Sequence, residues 1–133
     1  MTSKLVGLVG RGTAAVLLLG VLSCGGESTG LTNVEVTNVT DTFEFQANAN
    51  DNTETLNYPW SNTGTRADVN QSGTVTAGTA TLTILDDDLQ IVYSRPLNET
   101  GTFQTDDGAA GTWTVRVSMV AMSGVLNFRV ERP

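Results

Sequence analysis

Alternation of apolar and polar residues is the feature that most restricts how this chain can fold. It runs from residue 31 to the C terminus and is clearest at Trp113, Val115 and Val117. Because successive side chains of a β-strand point to opposite faces of a sheet, each such run predicts a strand with one buried face. The other runs are Val34–Val36, Phe43–Phe45, Leu56–Trp60, Ala67–Val69, Ala80–Ile84, Ile91–Tyr93 and Leu126–Val130.

Clusters of Gly, Asn, Asp and Ser separate these runs and predict turns. They are ANANDN at 47–52, SNTG at 61–64, QSG at 71–73, DDD at 86–88, DDGAAG at 106–111 and MSG at 122–124. About eight or nine short strands with one apolar face each predict an all-β fold, an antiparallel β-sandwich of the jelly-roll or immunoglobulin-like type. A chain of 133 residues has room for one such core.

Residues 1–23 differ in kind from the rest of the chain. Lys4 precedes, and Arg11 interrupts, an apolar run from Leu5 to Leu22 that contains AAVLLLGVL at 14–22. The uninterrupted part is much shorter than the roughly 20 apolar residues of a membrane-spanning helix. A positive start, a short apolar middle and small residues at the end are typical of a signal peptide. We predict that residues 1–23 direct export and are then removed.

The end of this segment resembles the lipobox of bacterial lipoproteins, which is an aliphatic residue, two mostly small residues and a cysteine. Val21, Leu22, Ser23 and Cys24 occupy those four positions, and Cys24 is the only cysteine of the chain. The resemblance implies cleavage before Cys24, a diacylglyceryl group on its sulfur and an acyl chain on its amine. Gly25 follows instead of the aspartate that often marks inner-membrane retention in the family, so the resemblance favours an outer membrane where the cell has one.

The mature chain is divided into a tether and a domain. Residues 24–32 belong to a stretch rich in Gly, Ser and Thr that predicts a flexible tether, and residues 33–133 form the predicted sandwich. The closing segments TGTFQTDDGAAGTWTVRV, at 100–117, and SGVLNFRVER, at 123–132, resemble the last strands of pre-peptidase C-terminal and similar jelly-roll domains. That resemblance implies the fold and assigns no site.

The mature chain is strongly acidic. It has five arginines, no lysine and fourteen Asp and Glu residues, so its formal charge is −9. Such a surface repels nucleic acid and anionic lipid headgroups, and we therefore predict no nucleic-acid partner. Attachment to a membrane must then come from the acyl chains of Cys24 rather than from charge.

Two acidic segments suggest a cation site. Asp86, Asp87 and Asp88 form one turn, and Asp106 and Asp107 begin a later loop. If each connection reverses the chain direction, both segments lie at the same end of the sandwich, where carboxylates could bind Ca²⁺. The site would then include Asp86, Asp88, Asp106 and Asp107. Aspartates are also common turn formers whose charges stay solvated, and this interpretation is favoured because no DxDxDG loop is present.

Aromatic residues suggest a second kind of site. Tyr58, Trp60, Trp113 and Tyr93 could form a platform on which sugar rings stack. Trp60 and Trp113, however, fall on the apolar phase of their strands, and a small sandwich needs large side chains in its core. Burial in the core is therefore the favoured interpretation.

The composition leaves little for catalysis. The chain has no histidine, and its mature part has no lysine and no thiol beyond Cys24, which excludes Ser-His-Asp and Cys-His sites. Paired carboxylates stay open, although so small a domain rarely has the cleft they require. We predict a non-enzymatic envelope lipoprotein that contacts another envelope protein through its loops or an exposed strand edge. The alternative is a ligand-binding module for calcium or glycan.

Overall fold

The computed structural model describes residues 30–133, and its regular secondary structure is entirely β. Within this range no helix has the length and apolarity needed to cross a membrane. The predictions for the signal peptide, for Cys24 and for most of the tether lie outside the described residues. The first strand begins at Gly30, inside the segment 24–32 that was predicted as tether. The strands are β1 Gly30–Val39, β2 Thr42–Asn62, β3 Asp68–Gln71, β4 Thr74–Leu85, β5 Ile91–Pro96, β6 Gly101–Gln104 and β7 Gly111–Glu131.

Two long strands organise the fold. β2 and β7 have 21 residues each and pair antiparallel from Thr42 opposite Glu131 to Asn62 opposite Gly111. The ring of Tyr58 nevertheless lies 5.4 Å from that of Phe43 in the same strand. A straight strand would place these residues about 50 Å apart. β2 and its partner β7 therefore fold over, and the single sheet becomes a sandwich.

The fold-over divides each long strand into two arms. The first layer holds β1, the N-terminal arm of β2, the C-terminal arm of β7, β3 and β6. The second layer holds the C-terminal arm of β2, the N-terminal arm of β7, most of β4 and β5. All of these pairs are antiparallel. The predicted all-β antiparallel sandwich is confirmed.

The bend is made by irregular residues inside three strands. Registers shift between Ala49 and Glu54 in β2, and β4 is irregular between residues 75 and 79 where it crosses β7. Positive φ angles occur here at Asp51 (47°), Ala121 (47°), Gly78 (69°) and Gly124 (137°). The predicted turns ANANDN and MSG are wrong, because these glycines and polar residues form bulges that bend a continuous strand. Seven strands result, and nine if the arms of β2 and β7 are counted separately.

The core lies between the layers and follows the predicted alternation closely. Trp60 and Trp113 are paired across β2 and β7 and meet edge to face, with ring centroids 6.0 Å apart. Gln71 is also buried, and its Nε2 donates to the carbonyls of Pro96 and Glu99 while its Oε1 accepts from Tyr93 Oη at 2.6 Å. The largest fully buried apolar side chains are Trp60, Trp113, Phe43, Phe45, Phe128, Leu82, Ile84, Leu97, Met119, Met122 and Leu126.

Three residues of the predicted apolar runs are exposed. Ile91 is exposed at the start of β5, and Val34 and Val36 are exposed in β1. β1 pairs with β2 alone and forms the outer strand of its layer. Its apolar residues therefore lack the neighbours that bury the equivalent positions of β2 and β7.

Candidate functional site

The two acidic segments do come together at one end of the sandwich. Asp86 is buried, and its Oδ2 accepts from the backbone N–H of Ala109 at 2.9 Å. Its Oδ1 accepts from the N–H groups of Asp88 at 3.0 Å and Gln90 at 2.8 Å. These bonds, above all the one from Ala109, lower the pKa of Asp86. The carboxylate thus ties the 86–88 turn to the 106–111 loop.

The other aspartates have separate environments. Asp107 forms an exposed ion pair with Arg66 at 2.8 Å, and Asp87 Oδ1 accepts from the N–H of Thr112 at 3.1 Å. Asp88 and Asp106 are exposed. Among residues 30–133, no three acidic, His or Cys side chains are grouped so that they could hold a metal ion. Calcium binding stays a prediction.

Replacement of Asp86 separates a structural role, in which its carboxylate ties the two loops together, from a role as a calcium ligand. Asp86→Asn has one carbonyl oxygen where two carboxylate oxygens accept, so either Ala109 or the turn loses its acceptor. We expect a lower melting temperature at pH 7, to the same extent with calcium and with chelator. A group with a lowered folded pKa stabilises the fold above its ordinary pKa of 3.8, and this contribution is lost as the pH falls through the folded value. The difference from wild type should therefore shrink in acid; a difference seen only with calcium would favour the cation site.

The proposed aromatic platform is not on the surface. Trp60, Trp113 and Tyr93 are buried, as the core interpretation predicts. The indole Nε1 of Trp60 donates to the carbonyl of Val39 at 3.1 Å, and that of Trp113 donates to the carbonyl of Ala109 at 2.7 Å. Tyr58 is half-buried and packs on two phenylalanine rings of the first layer. Sugar rings have no access to the faces of the two tryptophans.

The layers end in four strand edges, and three of them are short or interrupted. β6 has four residues, and β5 has six residues and ends at Pro96. The C-terminal arm of β2 contains Pro59, which has no N–H, and its carbonyl accepts from Asn38 Nδ2 at 2.8 Å. Short strands and prolines are ordinary means of preventing a further strand from joining a sheet.

The fourth edge, β1, is longer; its pairing with β2 shifts register between Thr32 and Glu35 and is regular from Glu35 to Val39. It has ten residues, GLTNVEVTNV, with no proline and no lysine. Because β1 hydrogen-bonds to β2 alone, about half of its N–H and C=O groups point away from the sheet. Val34 is 46% exposed, Val36 39% and Val39 56%. We call residues 34–39 the β1 edge.

Leu56 and Tyr58 lie beside the β1 edge, and we call these two side chains the apolar rim. Val36 pairs with Phe45, whose ring lies 5.9 Å from that of Tyr58. Tyr58 and Leu56 are only half-buried because the arm of β2 that carries them is itself the edge of the second layer. The open side of the sandwich thus combines outward-pointing backbone groups with apolar side chains. This arrangement is complementary to an extended peptide.

Sequence reasoning foresaw a strand edge as a possible contact but did not say which strand. In the run VEVTNV, Val34 and Val36 have the same alternation as the buried strands, whereas Val39 falls on the opposite face. The exposure of the run depends on the strand order, which the alternation does not contain. The absence of proline from this run was the available signal, since the whole mature chain lacks lysine.

Comparison with known proteins shows only distant similarity. No protein-family model matches the chain, and no curated protein matches it. Among solved structures, the C-terminal CBM6 of LamC, a marine laminarinase from Zobellia galactanivorans, is 10% identical, with a TM-score of 0.45 over 77% of this chain and 90% of that chain. A chain of accessory secretory protein 1, 2 and 3 in Streptococcus pneumoniae is 11% identical, with a TM-score of 0.41 over 78% of this chain and 88% of that one. These similarities assign no function to the chain.

Proposed function

We propose that this protein is a non-enzymatic, lipid-anchored interaction module that binds an extended segment of another envelope protein along the β1 edge. The observation that carries the proposal is a ten-residue outer strand with exposed valines and no proline or lysine. The lack of histidine in the chain and of lysine beyond Lys4 supports a role without catalysis.

A partner strand added to the β1 edge would contact both its outward-pointing backbone groups and the apolar side chains beside it. Its backbone would pair with the outward N–H and C=O groups of β1, and its alternate side chains would cover the apolar rim. Val34, Val36 and Val39 are about half exposed. Since complete burial of a valine contributes about 1.5–3 kcal/mol, covering all three contributes about 2–4 kcal/mol before the entropic cost of association. The ladder hydrogen bonds add to this and fix the register.

The proposed anchor lies close to this edge in the chain. Five residues separate Cys24 from Gly30, where β1 begins. Fully extended, they allow a reach of about 20 Å. The anchor would thus hold the β1 edge near the membrane, where an envelope protein is encountered. Mass spectrometry of the purified native protein should show an N-terminal Cys24 carrying acyl groups; an unmodified, uncleaved chain would contradict the anchor.

A charge placed in the β1 edge should prevent strand addition. Val36→Lys puts an ammonium group at a position that a partner strand would cover. Inward-pointing charges of this kind are a known protection of sheet edges against strand addition. The full lipid-anchored chain is expressed in its own cells, extracted in mild detergent and sized. We expect wild type to migrate as a complex larger than a single chain, and Val36→Lys as a single chain with a melting temperature close to that of wild type.

Ile91→Lys is the matched control. Ile91 is 62% exposed and lies at the start of β5, an edge strand of the other layer. This variant should keep the complex. The proposal fails if wild type migrates as a single chain, or if Val36→Lys and Ile91→Lys leave complexes of the same size.

A further inference from the structure

A second candidate surface lies on the solvent face of the first layer, where it begins at Glu44, the register partner of Thr37 in the β1 edge. It is a groove of about 380 Å³ that crosses β2, β7, β3 and β6. The seven polar residues that line it are Glu44, Arg129, Asn70, Thr102, Asp68, Asn127 and Glu131. The groove contains none of the aromatic residues that the sequence suggested as a sugar platform.

The strand register arranges these side chains in a row. Glu44 is opposite Arg129, Arg129 is opposite Asn70, and Asn70 is opposite Thr102. Neighbouring strands are about 4.8 Å apart, so the four side chains span roughly 15 Å across the sheet. A second row beside it runs through Glu131 and Asp68. Because the rows stand on paired strands, their spacing is fixed by the sheet.

Contacts between the side chains hold the row in place. Arg129 Nε lies 3.2 Å from Glu44 Oε2, and its Nη1 lies 4.0 Å from Glu131 Oε1. Asn70 Nδ2 donates to Thr102 Oγ1 at 2.9 Å. Arg129 and Glu44 are about half exposed, so each retains polar atoms open to solvent. The groove thus presents donors and acceptors alternately along its length.

We propose that this groove binds a short neutral oligosaccharide. A sugar hydroxyl both donates and accepts hydrogen bonds, so a chain of sugar units can pair with alternating donors and acceptors. A ligand that has only donors or only acceptors cannot. Three carboxylates, Glu44, Asp68 and Glu131, face one arginine, which disfavours sulfated, phosphorylated or uronic-acid ligands. The groove includes no residue of β1, and this site goes beyond the proposed function.

Affinity gel electrophoresis of the full mature lipoprotein in detergent tests this site. The probes are neutral glucan, mannan, xylan and galactan, with a sulfated galactan as the charged comparison. We expect at least one neutral polymer to retard the protein and the sulfated polymer to have no effect. Arg129→Gln should weaken binding at least tenfold, and Asn70→Ala, which leaves the ion pair intact, should weaken it about threefold or more.

Arg116→Gln is the matched control, since Arg116 donates to Asn57 Oδ1 at 2.8 Å and is not among the groove residues. It should bind as wild type does, and so should Val36→Lys. Near-ultraviolet circular dichroism of each variant checks that the core is intact. Absence of retardation by every neutral polymer, retardation by the sulfated polymer alone, or an equal loss in Arg116→Gln and Arg129→Gln would each overturn the proposal.

Discussion

Gly124→Ala is expected to destabilise the protein by about 3 kcal/mol or more. Gly124 has a φ of +137°, which L-residues rarely adopt, and a Cβ placed there would lie 2.1 Å from the carbonyl oxygen of Thr74. The contact is with backbone of β4, so no side-chain rotation relieves it. The bend that folds β2, β4 and β7 into two layers would have to shift. Urea unfolding followed by the fluorescence of the two buried tryptophans measures the change.

Ala121→Gly is the control for this bend. Ala121 has a φ of +47°, a conformation that favours glycine. The relief of strain and the greater freedom of the unfolded chain should nearly cancel, so we expect a change within about 0.5 kcal/mol. Equal losses in the free energy of unfolding from Gly124→Ala and Ala121→Gly would contradict a bend that depends on backbone conformation at particular residues.

Trp113→Ala is expected to cost about 3–5 kcal/mol. Trp113 is completely buried, meets Trp60 edge to face at 6.0 Å and donates its indole N–H to Ala109 at 2.7 Å. The substitution leaves a large cavity in the second layer and removes one of the bonds that hold the 106–111 loop. Since a domain of this size has a total stability of about 5–15 kcal/mol, such a loss brings it close to unfolding.

Far-ultraviolet circular dichroism during urea unfolding measures this effect without depending on tryptophan fluorescence. Val120→Ala serves as the comparison, because Val120 is 60% exposed in the same strand. Its change should be within about 0.5 kcal/mol. Similar losses for Trp113→Ala and Val120→Ala would show that Trp113 is not part of the core.

The alternation of side chains predicted the class of fold and most of the core. It correctly predicted the burial of Trp113, Val115 and Val117, because β7 has a neighbouring strand on each side and a second layer above it. It wrongly predicted the burial of Val34 and Val36, because alternation indicates the face on which a residue lies but not the position of its strand in the sheet. The polar clusters at 47–52 and 122–124 were ambiguous for a related reason, since the same residues serve a turn and a bulge.

The candidate sites were less accessible to sequence reasoning. The proximity of the acidic segments followed from the direction of the strands, but the hydrogen bonds that bind Asp86 to Ala109 depend on the exact path of both loops. The row from Glu44 to Thr102 joins residues of four strands that are up to 85 positions apart. Only the register brings them side by side. No local pattern around Arg129 distinguishes it from Arg116.

Amide hydrogen exchange tests the central claim most directly, because the proposed strand addition would act on the backbone N–H groups of β1. Wild type, purified in mild detergent as the proposed complex, is compared with Val36→Lys by mass spectrometry. We expect peptides covering the β1 edge to exchange about tenfold or more slowly in the complex, with the 106–111 loop unchanged. Equal exchange of the β1 edge in the two samples, or protection confined to the loops, would contradict the binding of a partner strand at this edge.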